Sequence, residues 1–227
     1  MKTLGMIGGT SWHSTIEYYR YINQLVNEIT GTPPANPPLL LYSLNVDLMR
    51  RGDWEEINEA YQKIALTLQN AGADALLICA NTPHKVVPHI EPVLDIPFIH
   101  IADATGEAVR DLGLNRLGLL GTQPVMEEDF IRKRLQDKFQ IRTQIPDGEI
   151  REEVHRTIAE ELTRGIFEET TKAFYLKEMQ KFKADGADGI ILGCTELPML
   201  IKPEDFDLPL LDTTYLHAKK AVDFILS

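Results

Sequence analysis

Gly72-Ala73-Asp74-Ala75-Leu76-Leu77-Ile78-Cys79-Ala80-Asn81-Thr82 returns 114 positions later as Gly186-Ala187-Asp188-Gly189-Ile190-Ile191-Leu192-Gly193-Cys194-Thr195-Glu196. Each stretch leaves a helix through Gly-Ala-Asp, runs through apolar residues for the length of a strand, and ends in small and polar residues. Two further pairs keep the order and nearly the same spacing. Leu4-Gly5-Met6-Ile7-Gly8 resembles Leu117-Gly118-Leu119-Leu120-Gly121, and Asp95-Ile96-Pro97 resembles Asp207-Leu208-Pro209. Three matches in one order at a near-constant offset read as an internal duplication.

Working outward, each half predicts β-α-β-α-β. In the first half the strands fall near residues 3–7, 39–43 and 75–79, with helices near 14–28 and 54–70 and a Pro-rich connector over 32–38. In the second half, strands fall near 117–120 and 189–192. The expected fold class is α/β, with two similar doubly wound α/β domains related by internal pseudo-two-fold symmetry. The first lobe is expected over 1–98, completed by 213–227, and the second over 99–212. Continuous apolar strands predict parallel sheets covered on both faces. Such sheets bind ligands beyond the carboxyl ends of their strands, so the two lobes are expected to share one cleft there.

Composition limits the function. The chain has 227 residues, 44% hydrophobic and 25% charged, as expected for a soluble globular protein. Its apolar runs fall short of the ~18 residues that span a bilayer. Residues 1–9 are interrupted by Gly5, Gly8 and Gly9 and do not read as a signal peptide, so a cytoplasmic location is expected. The net charge is −11 and no Lys/Arg cluster stands out, so neither nucleic acid nor membrane is an expected partner. A small anionic substrate remains open, because one or two local donors outweigh a distant acidic surface. The two cysteines, Cys79 and Cys194, form no C-x-x-C pair, which argues against a disulfide framework or a zinc ribbon.

The polar clusters sit at expected strand ends. Gly8-Gly9-Thr10-Ser11 opens a helix, where backbone N–H groups hold a carboxylate or simply make a tight turn. Gly121-Thr122-Gln123 is its counterpart. Asn81-Thr82-Pro83-His84 offers short donors and acceptors for the polar groups of an amino acid, or caps for the next helix. His84 and His89 are five apart with Pro88 between them and do not make a helical metal pair. Cys194 stands between Gly193 and Thr195. A free thiol has a pKa of about 8.5 and needs a helix N-terminus or local donors to act as a base, and the turn before Leu197 is the expected source. Cys79 matches Gly193, not Cys194, and a one-residue slip reverses a strand side chain. Cys79 is therefore expected to be a packed thiol, while Ala80 occupies the position that matches Cys194.

Met6-Ile7-Gly8-Gly9-Thr10, Asn81-Thr82-x-His84 and above all Gly193-Cys194-Thr195-Glu196 resemble the aspartate/glutamate racemase family, along nearly the whole chain. The resemblance implies two pseudo-symmetric α/β domains, a homodimer, and catalysis without pyridoxal phosphate or any other cofactor or metal. It also implies a two-thiol mechanism, in which one thiolate removes the α-proton and the opposite thiol returns one to the other face. The catalytic positions would be Cys194 and Ala80, the latter standing where the family usually has the first cysteine of Cys-Asn-Thr. Alanine carries no proton. The expected substrate-binding residues are Gly9, Thr10, Ser11, Arg50, Asn81, Thr82, Thr122, Thr195 and Glu196. Aspartate-specific members carry a lysine in the segment aligned near residues 165–168, where Glu168 is the nearest match here. Arg50 and Arg51 are then the candidates for a side-chain carboxylate.

Three functions follow. The first is a racemase of aspartate, glutamate or a related amino acid, with Cys194 as thiol acid/base. The second is a single-cysteine decarboxylase of the same superfamily, since one thiol suffices to protonate a carbanion left by CO2 loss. The third is a non-catalytic amino-acid-binding protein.

Overall fold

The computed structural model describes residues 1–31 and 35–227. The Pro-rich connector expected over 32–38 therefore lies partly outside the described residues. Contacts divide the chain into two compact units, residues 1–101 with 217–227, and residues 102–216. The sequence reading puts these boundaries at 98/99 and 212/213.

The first unit runs β1 (Leu4–Gly8), α1 (Trp12–Thr30), β2 (Leu39–Ser43), α2 (Asp47–Arg51), α3 (Trp54–Asn70), β3 (Ala75–Ile78), a 3-10 turn (Thr82–Val86) and α4 (Val87–Ile90). Its three strands are parallel in the order β2-β1-β3. The helices follow from pattern and capping. In α1 the buried positions Ser14, Tyr18, Ile22 and Leu25 recur every three or four residues, and the Ser11 hydroxyl caps the start by accepting from the Ser14 N–H. In α3, the Asp53 carboxylate accepts from the N–H groups of Glu55 and Glu56.

The second unit takes in most of α5 (Ile101–Asp111), then β4 (Arg116–Gly121), α6 (Gln123–Glu127), α7 (Asp129–Phe139), β5 (Arg142–Gln144), α8 (Gly148–Glu160), α9 (Glu169–Ala184), β6 (Gly189–Gly193), α10 (Leu197–Leu200), β7 (Leu210–Asp212) and the start of α11 (Thr213–Leu226). Its parallel sheet has the order β5-β4-β6-β7. The rest of α11 packs Ala218, Ala221, Val222 and Ile225 into the core of the first unit.

The duplication seen in the sequence recurs in individual hydrogen bonds. Gly72 and Gly186 both take positive φ, 96° and 86°. Ala73 N–H donates to Leu68 C=O, and Ala187 N–H to Phe182 C=O, at 3.1 and 2.8 Å. The Asp74 carboxylate accepts from Thr3 N–H, as Asp188 does from Asn115 and Arg116. Leu76 N–H reaches Pro97 C=O at 3.0 Å, and Ile190 N–H reaches Pro209 C=O at 2.9 Å.

Strand parity sets which side chain faces which layer. Leu77 and Cys79 pack with α1 and α11, while Leu76 and Ile78 pack with α3. In the second unit Ile190, Leu192 and Cys194 share one core with residues of α8 and α9. β2 departs from the expectation of strands covered on both faces. It is an edge strand whose residues Leu41 to Ser43 are exposed, and among the described residues no strand pairs with its outer side.

Candidate active site

The carboxyl end of β6 delivers Cys194 in the turn between that strand and α10. Gly193 is required before it, since a Cβ there would lie 2.9 Å from the Leu120 carbonyl oxygen and 3.1 Å from Val125. The Cys194 side chain is 7% exposed, and its Sγ–H donates to Glu196 Oε2 at 3.0 Å. Glu196 is itself buried. Burial pushes the Cys194 thiol well above its usual pKa, and the nearby Glu196 carboxylate pushes it further, both by its charge and by accepting the thiol proton. Backbone hydrogen bonds from Glu196 and Leu197 act in the opposite direction without prevailing. The turn before Leu197 thus acts on the thiol in the expected direction, without setting its pKa. The donors are present, but Glu196 and burial outweigh them.

Beside Cys194, β4 pairs Gly121 with Gly193 and brings Thr122 alongside. Thr122 precedes α6 in extended conformation, and the next N–H, that of Gln123, donates to His155 Nδ1 at 3.3 Å. Thr122, Cys194, Thr195 and Glu196 thus gather at one sheet end in the second unit.

In the first unit the same end of the sheet gathers Gly9, Thr10 and Ser11 after β1, and Ala80, Asn81 and Thr82 after β3. Gly9 takes φ 91°, and an added Cβ would lie 2.2 Å from the Leu44 carbonyl oxygen, so only glycine fits this turn. Its N–H donates to Thr15 Oγ1 at 3.0 Å. The hydroxyls of Thr10 and Tyr61 share a hydrogen bond of 2.8 Å. Burial raises the Tyr61 pKa, so the phenol stays protonated. Asn81 is buried and Thr82 partly so. Cys79 is 1% exposed, faces the core, and has its pKa raised by burial alone. Its carbonyl accepts from the Ser14 hydroxyl.

Arg50 lies on the short helix that follows β2. It is exposed on α2 and ion-paired with Asp47 at 3.2 Å, and Arg51 is likewise exposed and paired with Glu56. Glu168 is exposed at the start of α9. Sequence reasoning missed Ser14, Tyr61 and His155. Ser14 and Tyr61 are i+3 and core positions of amphipathic helices, and nothing local marks their long-range hydroxyl contacts.

Within the second unit the arrangement offers a buried thiol that donates its proton to a buried carboxylate, at the strand end that also carries Thr122 and Thr195. Among the described residues no helix is long and apolar enough to cross a membrane, and no cluster of His, Cys, Asp and Glu is placed to hold a metal ion.

The Asp/Glu/hydantoin racemase family model matches residues 7–221. The chain is 42% identical to a candidate Asp/Glu racemase of known structure from Yersinia pestis, with TM-score 0.93 and full coverage of both chains. It is 32% identical to an aspartate racemase homologue from Pyrococcus horikoshii, with TM-score 0.88, again over both whole chains. It is also 23% identical to the broad specificity amino-acid racemase RacX of Bacillus subtilis, covering 99% of this chain and 98% of RacX.

Proposed function

The chain belongs to the Asp/Glu/hydantoin racemase family, and on that premise we propose that it is a cofactor-independent amino-acid racemase in which Cys194 is the thiol acid/base. The substrate is aspartate, glutamate or a related amino acid. The observation that carries this reading is the Cys194–Glu196 pair, a thiol donating to a carboxylate at 3.0 Å at a strand end.

The chemistry follows from where the single proton sits. At rest the raised thiol pKa keeps Sγ–H protonated and donating to the Glu196 carboxylate. In that state the thiol donates a proton to a carbanion at Cα. To remove an α-proton, the thiol first passes its own proton to Glu196, leaving a thiolate beside a neutral acid. The thiolate then takes the α-proton. Every proton is accounted for within the pair and the substrate. In the second unit the hydroxyls of Thr122 and Thr195, and in the first unit those of Thr10 and Thr82 with the Asn81 amide, are polar groups of the kind that hold an α-carboxylate or an ammonium. Arg50 is a weaker candidate for a side-chain carboxylate, given its exposure and its partner Asp47. The RacX name favours a panel of amino acids over a single substrate.

Ala80 matches the strand-end position of Cys194 and has no titratable group. Water must therefore carry the second proton, or racemisation is slow. That is what keeps the single-thiol decarboxylase as the second reading, since that reaction needs one proton donor only. Incubating each L- and D-amino acid with the protein and separating the enantiomers by chiral chromatography tests the proposal. Racemisation of at least one acidic or related amino acid is expected. Loss of CO2 from a malonate-type substrate without any racemisation would favour the decarboxylase.

A cytoplasmic location and a homodimer belong to the same proposal. The exposed apolar residues Trp12, Ile16 and Tyr19 on α1 and Leu41 and Tyr42 on β2 support the latter, because β2 is an uncharged sheet edge.

A further inference from the structure

The carbonyl that follows the apolar strand is held differently in the two units. In the second, the Cys194 carbonyl accepts from the Leu197 N–H at 3.2 Å. By the 114-residue offset, the residue in the first unit that matches Leu197 is Pro83, which has no N–H. The Ala80 carbonyl instead pairs with His84 Nδ1 at 2.8 Å. The other ring nitrogen, Nε2, accepts from the Ile101 N–H at 3.2 Å. A nitrogen that accepts carries no proton, so Nδ1 is the protonated one and His84 is neutral. The ring is fully buried, with His100 and His217 edge-on at 4.7 and 5.4 Å between centroids. His217 in turn pairs with the Tyr18 hydroxyl and the Ile99 carbonyl at 2.7 and 2.8 Å.

We propose that His84 is a positioning residue: its imidazole replaces the backbone donor that Pro83 lacks and sets the backbone of residues 80 and 81 at the end of β3. Its role for turnover rests on the racemase reading, whereas its effect on the backbone does not. Both bonds need the neutral Nδ1–H tautomer. Burial and the two neighbouring imidazoles lower the pKa of His84 well below the usual histidine value, so it holds that tautomer through neutral pH. A protonated ring would donate at Nε2 toward an N–H and lose the bond to Ile101.

The test has two arms. First, 15N-detected imidazole spectra of the whole protein should show His84 as the Nδ1–H tautomer, without titration in the ordinary histidine range. The Nε2–H tautomer, or ordinary titration, would overturn the proposal. Second, His84→Phe keeps ring volume and removes both bonds. The Asn81 amide resonance should move and turnover should fall ~10–100-fold, as for a misplaced site group, with a smaller change in KM. His84→Asn, which keeps a donor near the Ala80 carbonyl, should lose less. Adding Pro83→Ala to His84→Phe supplies a backbone N–H and should recover part of the turnover. A folded His84→Phe protein with an unmoved Asn81 amide and wild-type turnover sinks the idea. So does a Pro83→Ala addition that restores melting temperature but not the Asn81 resonance. If the wild type turns over no amino acid, the racemase reading fails, and the Asn81 resonance and the tautomer alone decide the role of His84.

Discussion

The ends of β3 and β6 are built on one plan and carry different chemistry. Both follow a Gly-Ala-Asp exit with its glycine at positive φ, and both are fixed by an Asp carboxylate that accepts from the backbone at or just before the neighbouring strand. At β6 the matching residue is Cys194, with a carboxylate two residues on that shares its proton. At β3 it is Ala80, and the side chains that follow, Asn81 and Thr82, are polar but do not titrate near neutral pH. The thiol of that half, Cys79, sits one residue earlier and faces the core between α1 and α11. Duplication thus supplies two similar backbones, and single residues decide which of them carries a thiol.

The largest effect is expected from removing the thiol from the end that has one. Cys194→Ala or Cys194→Ser should lower turnover by up to about 10⁴-fold, the upper end of what a general acid/base group contributes, since no thiol stands at residue 80. Substrate binding measured by calorimetry should change little, because the thiol acts in the transition state. Unaltered turnover would remove Cys194 from the chemistry. The converse change places a thiol at the end that lacks one. Ala80→Cys should raise racemisation ~10²-fold if residue 80 reaches the same Cα. A folded variant with no gain on any amino acid would move the assignment toward the decarboxylase.

Glu196→Gln separates the charge from the thiol. The carboxylate raises the Cys194 pKa by charge and by accepting its proton. Gln is uncharged, so the pKa should fall and alkylation of Cys194 by iodoacetamide at fixed pH should become faster. Turnover should nevertheless drop ~10-fold, because the partner that takes the thiol proton is gone. Slower alkylation would reverse the sign of the electrostatic argument. The smallest catalytic effect is expected from Cys79→Ser. Its hydroxyl would enter an apolar core at a cost of about 1–3 kcal/mol, read as a lower midpoint in urea, with turnover within ~2-fold of wild type.

Much of the fold was legible because the apolar runs and the offset are long. The bounds of β2 and α3 match those read from the sequence, and the opposite directions of Cys79 and Cys194 follow from strand parity. The three-residue strands β5 and β7 were not legible, since so short a run carries no period and Arg142-Thr143-Gln144 has no apolar signal. The exposure of β2 was hidden for another reason: Leu39-Leu40-Leu41-Tyr42 reads like a buried strand, and only its place at the sheet edge leaves it uncovered. At the candidate site, the residue types at the strand ends were visible. The state of the thiol was not, because burial and the reach of Glu196 over two residues are properties of the folded turn. The pairings of Tyr61 with Thr10 and of His217 with Tyr18 join residues 51 and 199 positions apart, and no local pattern announces them.

The claim that Cys194 exchanges a proton with the substrate Cα is tested by exchange of that proton with solvent. Amino acids of both hands are incubated with the protein in D2O, and the Cα–H signal is followed by NMR. The expected result is loss of that signal with the wild-type protein, faster for one enantiomer, and none with Cys194→Ala. Exchange at equal rates in the wild type and in Cys194→Ala would contradict the claim, and so would the absence of exchange from every amino acid tried.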